Sequence, residues 1–95
     1  MPRGNYHPNA YLERMRNVIA GLTARTKILN ALDDRRVLTV KEIADLAVLS
    51  SSVSRYHLRL LEAERIVKRR GKRPYKWRIT GKGQKRLIQA NEQIS

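Results

Sequence analysis

Residues 49–67 read LSSSVSRYHLRLLEAERIV, and this segment contains the strongest indication of the chain's architecture. Serines 50–52 precede a run with helical spacing, and serine is favoured at the start of a helix rather than in its interior. The pattern therefore predicts a helix over residues 51–63. Its inner side is predicted to carry Val53, Leu58 and Leu61.

A shorter helix is predicted just before this stretch. Residues 39–42, Thr-Val-Lys-Glu, have the pattern of a capping box, in which the threonine hydroxyl accepts an amide and the glutamate reaches back. The helix that they open is predicted to bury Ile43, Ala44 and Ala47, with Leu46 on or near that face, and residues 48–49 are predicted to form a turn. A capped helix, a tight turn and a second helix with polar residues at its start make a helix-turn-helix, whose second helix lies in the major groove of DNA.

A basic hairpin is predicted after the second helix. Residues 65–91 contain no acidic residue but eleven basic ones, namely Arg65, Lys68, Arg69, Arg70, Lys72, Arg73, Lys76, Arg78, Lys82, Lys85 and Arg86. The alternative of a disordered charge run is disfavoured, because Trp77 and Ile79 alternate with polar residues as in a strand with one buried face. We expect strands at 66–70 and 75–80 with a cationic tip between them.

Composition limits the classes of protein and partner. The 95 residues suffice for one domain, and the net charge of +13 indicates nucleic acid or another anionic partner. The absence of cysteine excludes disulfides, thiolate metal sites and cysteine nucleophiles. No apolar run approaches the ~20 residues of a membrane span and no signal peptide is apparent, so we expect a cytoplasmic protein. With DNA as its partner, we expect it to be associated with the nucleoid.

The other elements are predicted from caps and apolar spacing. Residues 1–8 are expected to form a flexible arm, and a helix is expected from Asn9 toward Ala20, with Gly21 as its stop or kink. Thr23 is a candidate cap for the next helix. A turn is predicted at 33–36, a very short strand at 37–38, and a last helix that Thr80 caps and that runs toward Ile94.

The central stretch resembles the recognition helix of winged helix-turn-helix regulators, notably the ArsR-like and related archaeal families. Those families commonly read Val-Ser-x-His-Leu-x-x-Leu-Glu-x-x-Gly-Leu-Val. Residues 23–32 resemble their first core helix, and residues 79–83 resemble the Leu-Thr-x-x-Gly after their wing. One extra residue before His57 leaves Val53 and Ser54 as alternatives for the core valine position. Arg65 replaces the usual glycine, so it either adopts a left-handed conformation or the helix ends differently.

The expected fold class is α+β and mostly helical, a winged helix-turn-helix with an extra helix at each end. Its single domain spans residues 9–95. We place the extra helix at 9–22, the helix-turn-helix at 39–64, the wing at 66–80 and the C-terminal helix at 81–94.

The resemblance implies two sets of DNA-binding residues. On the recognition helix they are Ser50, Ser51, Ser52, Ser54, Arg55, Tyr56 and Arg59. On the wing they are Arg69, Arg70, Lys72, Arg73 and Tyr75. Hydroxyl groups bond phosphates, arginine reads guanine or neutralises phosphate, and narrow minor grooves attract arginine. Trp77 is assigned to the core rather than to base stacking, and Tyr75 stacks on a sugar or closes the hairpin.

Enzyme and cofactor sites are not expected. The two histidines do not have metal-ligand spacing, and the missing cysteines argue against metal sensing of the ArsR kind. Asp33 and Asp34 are neighbours on a turn and do not converge on a substrate. The short Gly81-x-Gly83 motif is not a phosphate loop. We therefore expect no catalytic residue, metal, cofactor or small-molecule substrate.

The sequence leaves three main functions open. The first is a regulator of transcription that binds double-stranded DNA as a homodimer, through its N-terminal or C-terminal helix or both. The second is a chromatin-type architectural protein with little sequence preference. The third is a winged helix that binds other proteins in a transcription or replication assembly. An RNA-binding role has less support, since the sequence has no aromatic-rich sheet motif.

Overall fold

A computed structural model describes residues 6–13 and 16–81 of the chain. A 3-10 turn at Pro8–Ala10 precedes helix α1 at Ile19–Leu32. The elements that follow are strand β1 (Leu38–Thr39), helix α2 (Val40–Ala47), helix α3 (Ser51–Ala63), strand β2 (Val67–Arg70) and strand β3 (Lys76–Ile79). The three strands form an antiparallel sheet in the order β1-β3-β2. The α+β class and the order helix-turn-helix then hairpin are confirmed.

Strand β3 is the centre of the sheet. Its Trp77 pairs with Leu38 of β1 on one side and with Arg69 of β2 on the other. Trp77 and Ile79 are buried, as the alternation in the sequence predicts for a strand with one face on the core. Beyond the strand, the backbone N–H of Thr80 donates to the carbonyl of Ile66, and this bond closes the base of the hairpin.

All three helices and the hairpin share one apolar core. A buried cluster includes Leu22, Ile28, Leu29 and Leu32 from α1, Ile43 from α2, Leu58 and Leu61 from α3, and Ile66, Val67, Trp77 and Ile79 from the hairpin region. Ala10 and Leu12 add to the same cluster from the N-terminal segment. Because α3 packs on α1 and is followed directly by the hairpin, its outer face and the wing lie beside each other.

The caps of the helix-turn-helix form as predicted. The Thr39 hydroxyl accepts the Glu42 N–H at 3.2 Å, and the Glu42 carboxylate accepts the Thr39 N–H at 2.9 Å. The Ser50 hydroxyl accepts the Val53 N–H at 3.1 Å and starts α3. Between the two helices Val48 adopts a left-handed conformation with φ 55°, which costs a non-glycine residue about 1–2 kcal/mol and makes the turn tight.

Arg65 also adopts a left-handed conformation, with φ 62°. It stands at the position where the related families have glycine, so the first of the two alternatives for the end of α3 is confirmed. The Arg65 N–H donates to the carbonyl of Glu62 and the Ile66 N–H to that of Leu61, so backbone bonds close the helix end. At the hairpin tip the left-handed position, φ 88°, is taken by Gly71, which has no Cβ to clash there.

The predicted helix from Asn9 toward Ala20, and with it the extra helix at 9–22, is wrong. Its backbone groups bond to side chains instead of forming a helical ladder. The Asn17 amide both accepts from the Leu12 N–H and donates to the Leu12 carbonyl, at 2.8 and 2.9 Å. The Ala10 carbonyl accepts from the side chain of Arg25. The first α-helix begins only at Ile19, so the described residues before it contain the 3-10 turn at Pro8–Ala10 but no α-helix.

Three further boundaries differ from the predictions or lie beyond the described residues. Gly21 and Thr23 lie inside α1, and neither stops nor caps it. The predicted flexible arm at 1–8 is described only from Tyr6, and its His7 is buried. The predicted C-terminal helix at 81–94 lies outside the described residues except for Gly81.

Candidate nucleic-acid interface

A groove separates the outer face of α3 from the wing. Its volume is about 590 Å³. The lining consists of Thr39, Val40 and Lys41 from the start of α2, Ser51, Arg55 and Arg59 from α3, and Arg69, Arg73, Pro74, Tyr75 and Trp77 from the wing. The two parts of the chain for which DNA contacts were predicted therefore meet in one concave surface.

The groove is strongly cationic. Five of its lining residues are basic and none of those described is acidic. Ser51, Arg55 and Arg59 are spaced four residues apart, which places them in one row along α3. Tyr75 supplies aromatic surface on the side of the wing, whereas Trp77 lies beneath the groove and is almost fully buried. Cations in a concavity beside aromatic rings form a surface suited to a phosphodiester backbone.

Arg69 is partly engaged within the protein. Its Nε lies 3.3 Å from a carboxylate oxygen of Glu62 on α3. Its guanidinium lies 4.8 Å from the centroid of the Tyr75 ring and 5.8 Å from that of Trp77. The ring contacts stabilise the hairpin itself, since a cation over an aromatic face is attracted to it. The ion pair with Glu62 joins the wing to α3, but an exposed pair of this kind adds little stability. Arg69 is accordingly less available to DNA than Arg70 or Arg73.

The other predicted contact residues lie around the groove. Arg70 and Lys72 are exposed at the hairpin tip, and Arg73 joins the tip to the groove. Ser52 and Tyr56 are exposed on α3 but do not line the groove. The hydroxyl of Ser50 is occupied as the cap of α3.

Ser54 is the predicted contact residue that the structure removes from the surface. Its side chain is 0% exposed, whereas that of Val53 is 41% exposed. Ser54 therefore occupies the core position for which both residues were candidates, and the prediction that Val53 lies on the inner side is wrong. The burial of Ser54 instead of Val53 follows from the tertiary packing of His57, Leu58 and Leu61, which fixes the face of α3 that is turned to the core. The Ser54 hydroxyl has no hydrogen-bond partner among the described residues.

Lys41 is a groove residue that does not belong to the predicted set of DNA contacts. It lies in the first turn of α2, where unpaired backbone N–H groups give the helix end a partial positive charge. The capping box that fixes this helix start was the available signal. Within that box, the hydrogen bonds from Thr39 lower the pKa of the Glu42 carboxyl, which keeps the cap ionised and formed.

Behind α3, the side chain of His57 faces a buried arginine. Arg25 of α1 is 3% exposed, and its Nη1 lies 3.3 Å from the His57 Nδ1. Burial, with the Arg25 charge as a second cause, lowers the pKa of His57. Burial also lowers the pKa of Arg25, an effect that the negative charge of Glu64 opposes. Neutral His57 is thus able to accept a hydrogen bond from the guanidinium.

This arrangement predicts that the fold loses stability in mild acid. The folded protein binds fewer protons at His57 than the unfolded chain, where a histidine pKa is about 6.5. The contribution of His57 to the free energy of unfolding should therefore be fully present above pH ~6.5. As the pH is lowered further, the free energy of unfolding should decrease by at most about 1.4 kcal/mol per pH unit. Thermal unfolding of the wild type and His57→Gln between pH 8 and 5 measures this. The melting-temperature difference between the two proteins should shrink as the pH falls, and a constant difference would contradict the assignment.

Neither a membrane-spanning helix nor a metal-binding cluster is found in the part of the chain that the structure describes. No helix there is long and apolar enough to span a membrane. The described residues also contain no group of three or more histidine and acidic side chains placed to hold a metal ion.

The similarities to known proteins agree with this geometry. Residues 23–69 match the family model described as bacterial regulatory protein, ArsR family. Among solved structures the chain is similar to a MarR family transcriptional regulator from Silicibacter pomeroyi, with a TM-score of 0.65 and 28% identity. The match covers 76% of this chain and 49% of the other, so this chain spans about half the length of that regulator. No curated protein matches at a significant level.

Both matches are to regulatory proteins, and neither is to an enzyme. Three helices, a three-stranded sheet and a basic wing lie in the order that such regulators have. The chain is therefore a winged helix-turn-helix protein with the fold of a transcriptional regulator, and its residues 23–69 carry the similarity to the ArsR family.

Proposed function

We propose that this protein regulates transcription by binding double-stranded DNA, and that it does so as a homodimer. The observation that carries the proposal is the groove between α3 and the wing, in which five cations line a single concavity. Of these five, Arg69 alone has an acidic partner among the described residues, Glu62. A polyanion would neutralise these charges and release condensed counterions. The proposed activity would place the protein in the cytoplasm, on the nucleoid.

In the proposed complex α3 enters the major groove. Arg55 and Arg59 would donate to guanine edges or phosphates, and the exposed Ser51, Ser52 and Tyr56 would add polar contacts near the start of the helix. The wing would reach the adjacent backbone or minor groove with Arg70, Lys72 and Arg73, and Tyr75 would pack beside them. Ser54 is left out because it is buried, and Ser50 and Arg69 take supporting roles.

The homodimer is proposed because one small domain alone makes few contacts with DNA. A single α3 reads few base pairs, whereas two copies related by a two-fold axis read paired half-sites and double the contacts. The segment before α1 and the residues after Gly81 are the candidate interfaces. Analytical ultracentrifugation at micromolar concentration would decide between monomer and dimer.

An architectural protein with low sequence specificity is the second candidate. It is favoured by the side chains of α3, where the groove row contains two arginines and a serine but no asparagine or glutamine to read adenine. Competition between a genomic fragment pool and bulk DNA separates the two candidates. A regulator should show a specificity ratio of at least ~10³, and a ratio below about tenfold would favour the architectural protein. Failure to bind duplex DNA at ~0.1 M salt would favour the protein-binding alternative.

The wing tip offers a direct test of phosphate contact. Replacing Arg70 and Arg73 by alanine should weaken binding to every sequence and reduce the slope of log K against log salt by about 1–2 units, because each lost contact releases one counterion fewer. Fluorescence anisotropy with labelled duplexes from 50 to 300 mM salt measures the slope. Lys27→Ala/Arg36→Ala is the matched control, since it removes two exposed cations outside the groove. Equal slopes for the tip variant and the wild type would show that the tip does not touch phosphate.

A further inference from the structure

The described residues between Tyr6 and Asn17, here called the N-terminal strap, lie outside the part of the chain that matches the ArsR family. The strap is nevertheless bound to the domain by specific polar contacts. The backbone N–H of His7 donates to the Thr26 hydroxyl of α1 at 3.0 Å, and the His7 Nε2 lies 3.1 Å from the Asp33 carboxylate. The strap is thus bound to α1 near the middle of the helix, at Thr26, and directly after its last residue, at Asp33.

Arg25 is the centre of a second group of contacts. Its Nε donates to the Ala10 carbonyl at 2.6 Å and its Nη2 to the Asn17 amide oxygen at 3.1 Å, so one guanidinium holds both parts of the strap. Its Nη1 meets His57 on the inner face of α3. A buried arginine therefore links the strap to the recognition helix through directional bonds.

The end of α3 is tied to the strap as well. Both carboxylate oxygens of Glu64 accept the backbone N–H of Glu13, at 2.8 and 2.9 Å. Glu64 is buried and follows the last residue of α3. His57 and Glu64 are seven residues apart, or about 10 Å along a helix. Two attachment points at this spacing resist both rotation and tilt of the helix.

We propose that the N-terminal strap sets the orientation of α3 relative to the wing, and that Arg25 is a positioning residue for DNA binding. The proposal rests on the proposed function. Apolar burial is non-directional, so it tolerates small rotations of a helix, whereas hydrogen bonds weaken steeply as their angles change. A rotation of α3 would move the row of Arg55 and Arg59 out of the groove.

Gly21 fits this role of Arg25. The two residues are four apart in α1, and a Cβ at position 21 would lie 2.8 Å from the Arg25 Nη1. Three hydrogen bonds hold that guanidinium, so it could not move aside without breaking the network. A buried, charged network of this kind adds less stability than apolar packing would, and its best-attested use is to fix one arrangement among several.

The test compares Arg25→Gln with Lys27→Gln in the full chain, since both remove one positive charge from α1 and Lys27 is exposed. The Arg25 variant should bind duplex DNA roughly threefold to thirtyfold more weakly, with an unchanged salt slope because no phosphate contact is lost. The Lys27 variant should bind within about twofold of the wild type. In NMR titrations the pKa of His57 should rise only in the Arg25 variant, and exchange of the Glu13 amide should accelerate there.

Two further variants separate positioning from stability. Ile79→Val trims the core away from the network, and a loss of DNA affinity equal to that of Arg25→Gln would overturn the proposal. Gly21→Ala keeps every charge but displaces the guanidinium, so it replaces Arg25→Gln if that variant does not fold, and it too should weaken binding. If either variant shows fast exchange of the Glu13 amide but binds DNA as tightly as the wild type, the strap does not position α3. That result would overturn the proposal for the strap but would leave the proposed function standing. A wild-type protein that binds no duplex DNA would overturn the proposed function itself.

Discussion

Replacing Arg55 and Arg59 together by alanine is expected to weaken binding to duplex DNA by roughly 30-fold or more at ~0.1 M salt. In the proposed complex each arginine of the groove row would supply a charged hydrogen bond to base or phosphate, which is worth about 1–3 kcal/mol. If both contact phosphate, the salt slope should also fall by about 2 units. If one reads a base, the slope should fall by about 1 unit and the sequence preference should relax.

Fluorescence anisotropy on one preferred and one random duplex distinguishes these outcomes. The double variant should keep the melting temperature of the wild type, because both side chains are exposed and make no hydrogen bond or ion pair with the described residues. Lys27→Ala/Arg36→Ala again provides the control for net charge. Equal affinity of the double variant and this control would show that α3 does not present its groove row to DNA.

Trp77→Ala is expected to have the largest effect on the fold. Trp77 is 2% exposed at the centre of the sheet, and truncation of such a side chain costs about 3–5 kcal/mol. A small domain has about 5–15 kcal/mol in total, so this variant should be close to unfolded at 37 °C. Urea unfolding should be followed by circular dichroism, since the protein contains a single tryptophan.

Trp77→Phe is the matched control. It keeps most of the buried aromatic surface, and the indole Nε1 has no acceptor among the described residues, so its removal breaks no described hydrogen bond. We expect this variant to lose less than half as much stability as Trp77→Ala. A loss below about 1 kcal/mol for Trp77→Ala would show that the wing does not depend on this anchor.

The elements that the sequence predicted well have local signals. The capping box at Thr39, the serine cap of α3 and the alternation around Trp77 each involve residues within a few positions of one another. These signals give the correct helix-turn-helix and hairpin, because short-range hydrogen bonds and the side-chain period decide such elements.

The N-terminal segment shows where local reasoning fails. Its apolar residues have helical spacing, but its backbone groups form hydrogen bonds with the side chains of Arg25 and Glu64, which lie up to 51 residues away. No pattern within the segment reveals these partners. The same holds for Ser54, whose burial depends on how α3 packs, and for Arg69, whose pairing with Glu62 exists only once the wing lies against the helix.

The concave shape of the groove has a kinetic consequence. Charges of one sign in a cleft with low-dielectric walls focus the electric field outward, and such focusing raises association rates by 10- to 1,000-fold at low ionic strength. An approaching polyanion would be turned toward the open side of the cleft before any atom touches it. In the proposed DNA complex, the arrangement of Lys41, Arg55, Arg59 and Arg73 would thus align the two molecules during diffusion, over a range of about one Debye length, or ~10 Å at 0.1 M salt.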